Sequence, residues 1–301
     1  MSQNLKFFFS AFLITLFLGW GVNVSTGYLE GFLFSQFYYS PQLFSAQALQ
    51  TSFLSPKKEI PQIEAKSALS VKVDRAGSQR ILFEKNPDEI LPIASLTKLM
   101  AALIVFENYD LSEKIRISRE ATDQPEDTGQ LKIGEKLSIE NLLYMMLIES
   151  SNDAAYAISD LIGKDALVDL MNIEAKFLDL KNTHFVDPGG WGPENYSTAR
   201  DLVQFSQYLL EKKSEIFKIT KIPEFDLYDP DGIFHHHLLN TNELLKEYPQ
   251  IIGGKTGETS QAKGCLLLIL RDPKDNSLLI NVILGSEDRF GEMEKLIKYA
   301  L

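Results

Sequence analysis

The sequence predicts an α+β fold in which strands from both ends of the folded region form one antiparallel sheet flanked by helices, with a helical subdomain. Three observations support this prediction. Alternating residues open the folded region, helical apolar patterns fill its middle, and two apolar strand patterns precede a final helix. Strands at both ends with helices between them are typical of a sheet closed by the two ends of one domain.

The folded region begins with a β-hairpin and a buried helix. The stretches ALSVKVD and RILFEKN alternate on either side of a turn at Ala76-Gly77-Ser78. The stretch ASLTKLMAALIVFENY then stays apolar over about three turns without Gly or Pro, which predicts a helix that begins near Ser95.

Helical patterns continue through the middle of the chain, and strand patterns return at its end. Further helices are expected at 138–149, 153–163, 165–180 and 198–212. The stretches GCLLLILR and SLLINVILG predict two strands joined by DPKDN, and EDRFGEMEKLIKYAL predicts a closing helix.

The amino terminus has the pattern of a membrane anchor. Residues 7–24 carry no charge and have about the length that spans a hydrocarbon core as a helix. A secretory signal has a shorter apolar centre followed soon by a small-x-small cleavage site, whereas the nearest clear Ala-x-Ala here begins at Ala46. We therefore expect a cytoplasmic stub and transmembrane helix over 1–24, a juxtamembrane linker over 25–62, and an extracytoplasmic domain over 63–301.

Composition argues against several classes of function. The net charge of −11, without a cluster of Lys and Arg, disfavours binding to nucleic acid. The single cysteine, Cys265, excludes an internal disulfide and a C-x-x-C site, and its apolar surroundings predict burial. His235, His236 and His237 lack the spacing of a zinc-binding helix and are expected on the surface of a loop or strand. We expect no metal and no cofactor.

The stretch GGKTGET, residues 253–259, is the first candidate for a functional site. A phosphate-binding loop would need a glycine at the position of Pro249 and a helix after the lysine. The residues that follow have a strand pattern instead, which disfavours phosphate binding.

A Lys-Thr-Gly strand also occurs in serine enzymes that attack amides, together with S-x-x-K and S-x-N. S-x-x-K occurs here at Ser55/Lys58, Ser95/Lys98 and Ser260/Lys263. Only Ser95 opens an apolar helix, where Ser95 and Lys98 lie one turn apart on the same face. Burial and the charge of Lys255 would help Lys98 to act as a base. Taken alone, the pair is better explained as a helix N-cap and a solvated surface lysine.

The third element is Ser150-Ser151-Asn152, between two helical patterns. Short polar side chains there can project into a cleft, although an ordinary cap before Asp153 explains them equally well. The order of the three elements within one domain favours a catalytic interpretation.

These motifs make residues 65–301 resemble the serine D-alanyl-D-alanine carboxypeptidase family, the low-molecular-weight penicillin-binding proteins. The supporting stretches are IASLTKLMAAL, SSNDAA, NTHFVDPGGWGPENYSTARDL and GGKTGET. The resemblance implies a DD-peptidase/β-lactamase-like fold, trimming of peptidoglycan stem peptides through an acyl-enzyme, and binding of β-lactams.

The resemblance also implies catalytic roles. Ser95 would attack the carbonyl of the penultimate D-alanine, and Lys98 would accept its proton. Ser150 would relay that proton to the leaving D-alanine, and Asn152 would hold Lys98 and the substrate amide.

Substrate-binding roles follow in the same way. Lys255 and Thr256 would bind the terminal carboxylate, and Gly257 would let the substrate lie along the strand. The backbone N–H groups of Ser95 and Glu258 would form the oxyanion hole. Many relatives have His at the position of Glu258, whose side chain is therefore a departure from the family.

Three alternatives stay open. A class A β-lactamase would need a Glu-x-x-x-Asn loop, and no Glu between Asn152 and Lys255 has Asn four residues later. A DD-endopeptidase that cuts cross-links shares all the motifs, and compact relatives often have that activity. An inactive peptidoglycan-binding scaffold is the third alternative.

Overall fold

The computed structural model describes residues 59–125 and 129–301. The expected transmembrane helix over 1–24 and the linker up to residue 58 lie outside the described residues. Within the described ranges, every helix is too short or too polar to span a bilayer.

The described residues begin and end with groups of strands, and most of the helices lie between them. The strands are β1 (Ser67–Val73), β2 (Gln79–Lys85), β3 (Leu91–Pro92), β4 (Lys114–Arg116), β5 (Lys136–Ser138), β6 (Tyr196–Ser197), β7 (Glu224–Tyr228), β8 (Phe234–Leu239), β9 (Ile251–Thr259), β10 (Lys263–Arg271) and β11 (Leu278–Ser286). The α-helices are α1 (Lys98–Asn108), α2 (Arg119–Thr122), α3 (Ile139–Tyr144), α4 (Asn152–Ser159), α5 (Lys164–Phe177), α6 (Ala199–Lys212), α7 (Ser214–Thr220) and α8 (Arg289–Ala300).

A five-stranded antiparallel sheet with the order β2-β1-β11-β10-β9 forms the centre of the fold. Its strands come from the two ends of the described chain, as the sequence predicts. Alternate residues of β10 pack into two separate cores: Leu267 faces the helical side, whereas Leu266 and Leu268 face helix α8. Because both faces are covered, the strand is apolar throughout.

The helical side contains α1, which is buried from Lys98 to Val105. It begins three residues later than the sequence predicts, because a 3₁₀ turn over Ala94–Thr97 precedes it. The single helix predicted at 138–149 is two consecutive segments of different helical type in the structure. Helix α3 ends at Tyr144, and a π-helical turn over Met145–Glu149 continues it.

Two predictions about single residues have different outcomes. Cys265 is fully buried in β10, as expected, and this burial raises the pKa of its thiol to about 11. The prediction that all three histidines lie on the surface is wrong for His236, which is 5% exposed. Strand β8 turns this side chain inward, towards the π-helical turn.

Candidate active site

Ser95, Lys98 and Asn152 meet at the junction of the sheet and the helical side. The Lys98 ammonium donates to Ser95 Oγ at 2.8 Å and to Asn152 Oδ1 at 2.7 Å. It also donates to the carbonyl of Gly189 at 2.7 Å. Lys98 is completely buried, and these three acceptors hold its nitrogen beside the serine hydroxyl.

The backbone around Ser95 is held tightly by two glycines. Ala94, directly before the serine, has a left-handed conformation with φ of +47°. A Cβ at Gly190 would lie 2.0 Å from the Ala94 carbonyl oxygen, and one at Gly257 would lie 2.9 Å from Ser95 N. The loop at Gly190 and strand β9 therefore pack against the serine from two sides at distances that only glycine allows.

The loop that supplies the Gly189 carbonyl is organised by one buried carboxylate. Asp187 Oδ1 accepts hydrogen bonds from the backbone of Gly189, Gly190 and Trp191 at 2.6–3.2 Å. Its Oδ2 accepts from Gly192 N at 2.8 Å and from a side-chain amide at 2.7 Å. Asp187 lies in a stretch that resembles the family, but no sequence motif gives it a role.

Ser150 lies at the end of the π-helical turn in a left-handed conformation, with φ of 69°. Ser151 caps helix α4 by accepting from Ala154 N at 3.0 Å, so the cap role belongs to Ser151 and Ser150 points elsewhere. The Lys255 ammonium donates to Ser150 Oγ at 2.8 Å. Ser150 is thus joined to β9, and Asn152 to Lys98.

Lys255 is the second buried lysine of this cluster and is 2% exposed. Burial lowers the pKa of Lys255 well below its usual range, and the charges of Lys98 and Arg289 lower it further. Two ammonium groups are costly in one dry site without an anion between them. The cluster therefore favours either loss of a proton or the arrival of a carboxylate.

Thr256 faces the same cleft from β9. Its hydroxyl is 2.5 Å from the hydroxyl of Thr241, which precedes the 3₁₀ turn at Glu243–Lys246. Thr241 has no signal in the sequence, because no motif includes it. Its position depends on the backbone bond from Thr241 N to the Ile148 carbonyl at 3.2 Å.

The side chain of Glu258 lies at the exposed rim of the cleft and is paired with Arg289. Arg289 also donates to the Gly257 carbonyl at 3.3 Å and lines the cleft. Arg289 has no signal in the sequence, because only strand pairing brings the start of α8 beside the end of β9. Gly264 in β10 pairs with Glu258 on one side and with Ser286 on the other. Ser286 lies three residues before Arg289, so this pairing brings Arg289 close to Glu258.

These residues surround a cleft of about 160 Å³. Its lining is Ser95, Glu149, Ser150, Asn152, Gly189, Gly190, Trp191, Thr241, Thr256, Gly257, Glu258, Thr259 and Arg289. Of the other S-x-x-K pairs, Ser260 and Lys263 flank the turn between β9 and β10, and Ser55/Lys58 lies outside the described residues. In the part of the chain that the structure describes, His, Cys, Asp and Glu form no group of three suited to a metal ion.

Comparisons with known proteins agree with this geometry. The sequence profile of a peptidase family, described as D-alanyl-D-alanine carboxypeptidase, matches residues 55–288. The D-alanyl-D-alanine carboxypeptidase DacF of Bacillus subtilis is 35% identical over 79% of this chain, and the match spans 62% of that protein's length. The D-alanyl-D-alanine endopeptidase of Pseudomonas aeruginosa is 30% identical over 81% of this chain and 80% of its own.

Solved structures give the same result. The DD-transpeptidase of Streptomyces K15 superposes with a TM-score of 0.72 at 28% identity, covering 80% of this chain and 99% of its own. The D-alanyl-D-alanine carboxypeptidase DacD of Francisella tularensis has a TM-score of 0.73 at 27% identity, covering 87% of this chain and 76% of its own.

Proposed function

This chain belongs to the D-alanyl-D-alanine carboxypeptidase family, peptidase family S11, and we propose that it is a serine carboxypeptidase that trims peptidoglycan stem peptides and is acylated by penicillins. The observation that carries this proposal is the contact of a buried amine with a serine hydroxyl, 2.8 Å from Lys98 Nζ to Ser95 Oγ. A serine becomes a nucleophile when a base in hydrogen-bond reach takes its proton.

In the acylation step, Ser95 Oγ attacks the carbonyl carbon of the penultimate D-alanine while Lys98 takes the hydroxyl proton. The bond to the terminal D-alanine then breaks, and Ser150 passes a proton to the leaving amine. The Ser150 hydroxyl accepts a hydrogen bond from Lys255 Nζ at 2.8 Å, which would orient it for this transfer. Water later attacks the ester and releases the shortened peptide.

The developing oxyanion would be bound by the backbone N–H groups of Ser95 and Glu258. Support comes from the close approach of β9 to the serine, because a Cβ at Gly257 would lie 2.9 Å from Ser95 N. A fixed donor of this kind contributes about 3 kcal/mol to the transition state.

The terminal carboxylate would be bound by Lys255 and Thr256, with Gly257 leaving room for the substrate backbone. A bound carboxylate favours the protonated form of Lys255, whose pKa is otherwise lowered by burial and by Lys98. Substrate binding would thereby restore the charge balance of the two-lysine cluster.

Covalent labelling with a fluorescent penicillin tests this proposal. We expect the wild-type protein to be labelled and Ser95→Ala not to be. Ser260→Ala is the matched control, because Ser260 begins the S-x-x-K in the turn between β9 and β10. Absence of label on the folded wild-type protein would contradict an acylating enzyme and would favour an inactive scaffold.

Cutting of D-alanyl cross-links is the second candidate activity. It is supported by relatives that are named endopeptidases, from Pseudomonas aeruginosa and from Escherichia coli at 28% identity. Incubation with a pentapeptide stem and with a cross-linked dimer separates the two, with products identified by mass. Free D-alanine alone indicates the carboxypeptidase, whereas monomers released from the dimer indicate the endopeptidase.

We also propose that the uncharged segment at residues 7–24 anchors the chain in the cell membrane, with the catalytic domain outside the cytoplasm. Peptidoglycan lies outside the membrane, which agrees with this orientation. The full chain should remain in the membrane pellet after alkaline carbonate washing, and a chain that begins at residue 59 should not. Release of the full chain by the wash would contradict anchoring.

A further inference from the structure

Two histidines and two carboxylates form a mostly buried cluster beside the cleft. His235 Nδ1 and His236 Nδ1 are 2.6 Å apart. His235 Nε2 contacts Glu135 Oε2 at 3.2 Å, and His236 Nε2 contacts both carboxylate oxygens of Glu149 at 3.2 Å. The side chains of His236 and Glu149 are 6% and 9% exposed. These hydrogen bonds link the four side chains in one row, with Glu135 at the more exposed end, at 20%.

A β-bulge brings the two neighbouring histidines together. Successive side chains of a regular strand point to opposite faces, so rings at positions 235 and 236 would not meet. In the β7–β8 hairpin Leu227 pairs with His236 and Tyr228 pairs with Phe234, which leaves His235 as the extra residue. A bulge re-aims a side chain in this way and is common beside active sites.

The hydrogen bonds set the number of protons on the pair when both carboxylates are ionised. An ionised carboxylate only accepts, so both Nε2 atoms must carry a proton. The contact between the two Nδ1 atoms needs one further proton, which one ring donates and the other accepts. Three protons on four ring nitrogens give the pair one positive charge, shared between His235 and His236.

The same distances argue against a metal ion between the rings. Two nitrogens bound to one tetrahedral zinc ion at about 2.1 Å would be about 3.4 Å apart. The nitrogens here are 2.6 Å apart, and each remaining Nε2 faces its own carboxylate. A shared proton fits this spacing.

We propose that the pair His235–His236 carries one shared positive charge, and that through it His236 is a positioning residue that fixes and neutralises Glu149 in the wall of the cleft. Glu149 directly precedes Ser150 and lines the cleft with Thr256. An uncompensated carboxylate there would repel the carboxylate of the substrate. Glu258, the other carboxylate of this lining, is paired with Arg289 in the same way. The effect on acylation rests on the proposed function, whereas the shared charge does not.

The charge is tested by nuclear magnetic resonance of protein labelled with ¹⁵N in histidine, at neutral pH. The chain has four histidines, so His184→Gln and His237→Gln assign the remaining two rings. We expect three protonated nitrogens out of four in the pair, together with a strongly deshielded ring proton that disappears in His235→Gln. Two protonated nitrogens, one on each neutral ring, would overturn the shared charge.

The role of His236 is tested by a double-mutant cycle on the rate of acylation by a fluorescent penicillin, which carries a carboxylate. In His236→Gln the amide can still donate to Glu149 but has no charge, and we expect acylation to slow about tenfold. In the Glu149→Gln background the same substitution should change the rate by less than about twofold.

His237→Gln is the matched control, since His237 is exposed on the same strand and pairs with Asp226. The fluorescent penicillin should label this variant at the wild-type rate. An equal loss from His236→Gln in both backgrounds, or no loss in either, would overturn the positioning role. If the wild-type protein is not labelled at all, the proposed function fails, while the count of ring protons still decides the charge.

Discussion

Adding one methyl group at Gly190 should disable the nucleophile without touching any side chain that does chemistry. The new Cβ would lie 2.0 Å from the carbonyl oxygen of Ala94, and contacts under 3.0 Å essentially never occur. The Ala94 peptide, directly before Ser95, would have to move by about 1 Å, and a displacement of that size can cost about 100-fold in rate.

Gly232→Ala is the matched control for backbone strain. Gly190 and Gly232 have similar left-handed φ angles, +85° and +81°, but a Cβ at Gly232 would meet nothing within 4 Å. Both variants should lose about 1–2 kcal/mol of stability from the left-handed alanine. Only Gly190→Ala should also slow acylation.

The assay is the second-order rate of labelling by a fluorescent penicillin, with circular dichroism to establish that each variant is folded. We expect about a 100-fold loss for Gly190→Ala and wild-type labelling for Gly232→Ala. A folded Gly190→Ala protein that is labelled at the wild-type rate would refute the steric reasoning, as would an equal loss in the control.

Three further predictions concern charged groups. Because the pKa of Lys255 is lowered, the rate of acylation should decline as the pH rises through a midpoint well below 10.5. Lys255→Arg should remove that decline, since an arginine stays protonated. A decline that persists in the arginine variant would assign it to another group. Asp187→Ala should lower the free energy of unfolding by about 3 kcal/mol in a denaturant titration, because five donors lose a buried acceptor. It should also slow labelling, because the Gly189 carbonyl is released. A change in the free energy of unfolding under about 0.5 kcal/mol would contradict this reasoning. Glu258→Gln should release Arg289 to bind the substrate carboxylate, and should therefore lower the KM for the stem peptide severalfold in a steady-state assay. An increased KM would instead mean that the Glu258–Arg289 pair maintains the shape of the cleft.

Local patterns predict the elements well but not their boundaries. The hairpin, the apolar β10 and the closing helix follow from periodicity, because their packing faces repeat within a few residues. The 3₁₀ turn before Lys98 and the π-helical turn before Ser150 do not follow, since tertiary contacts that no local pattern contains decide them. Both irregular turns lie directly beside site residues.

The sequence by itself determined the three motifs, their order and the fold class, because the proposed nucleophile, base and carboxylate-binding strand each have a local signature. Only the tertiary structure brought Arg289 and Thr241 to the cleft, buried Asp187 under the loop that supplies the Gly189 carbonyl, and turned His236 inward. Their positions depend on strand register, a bulge and loop packing between distant segments. Those are set by the free energy of the whole fold, which no single stretch of sequence encodes.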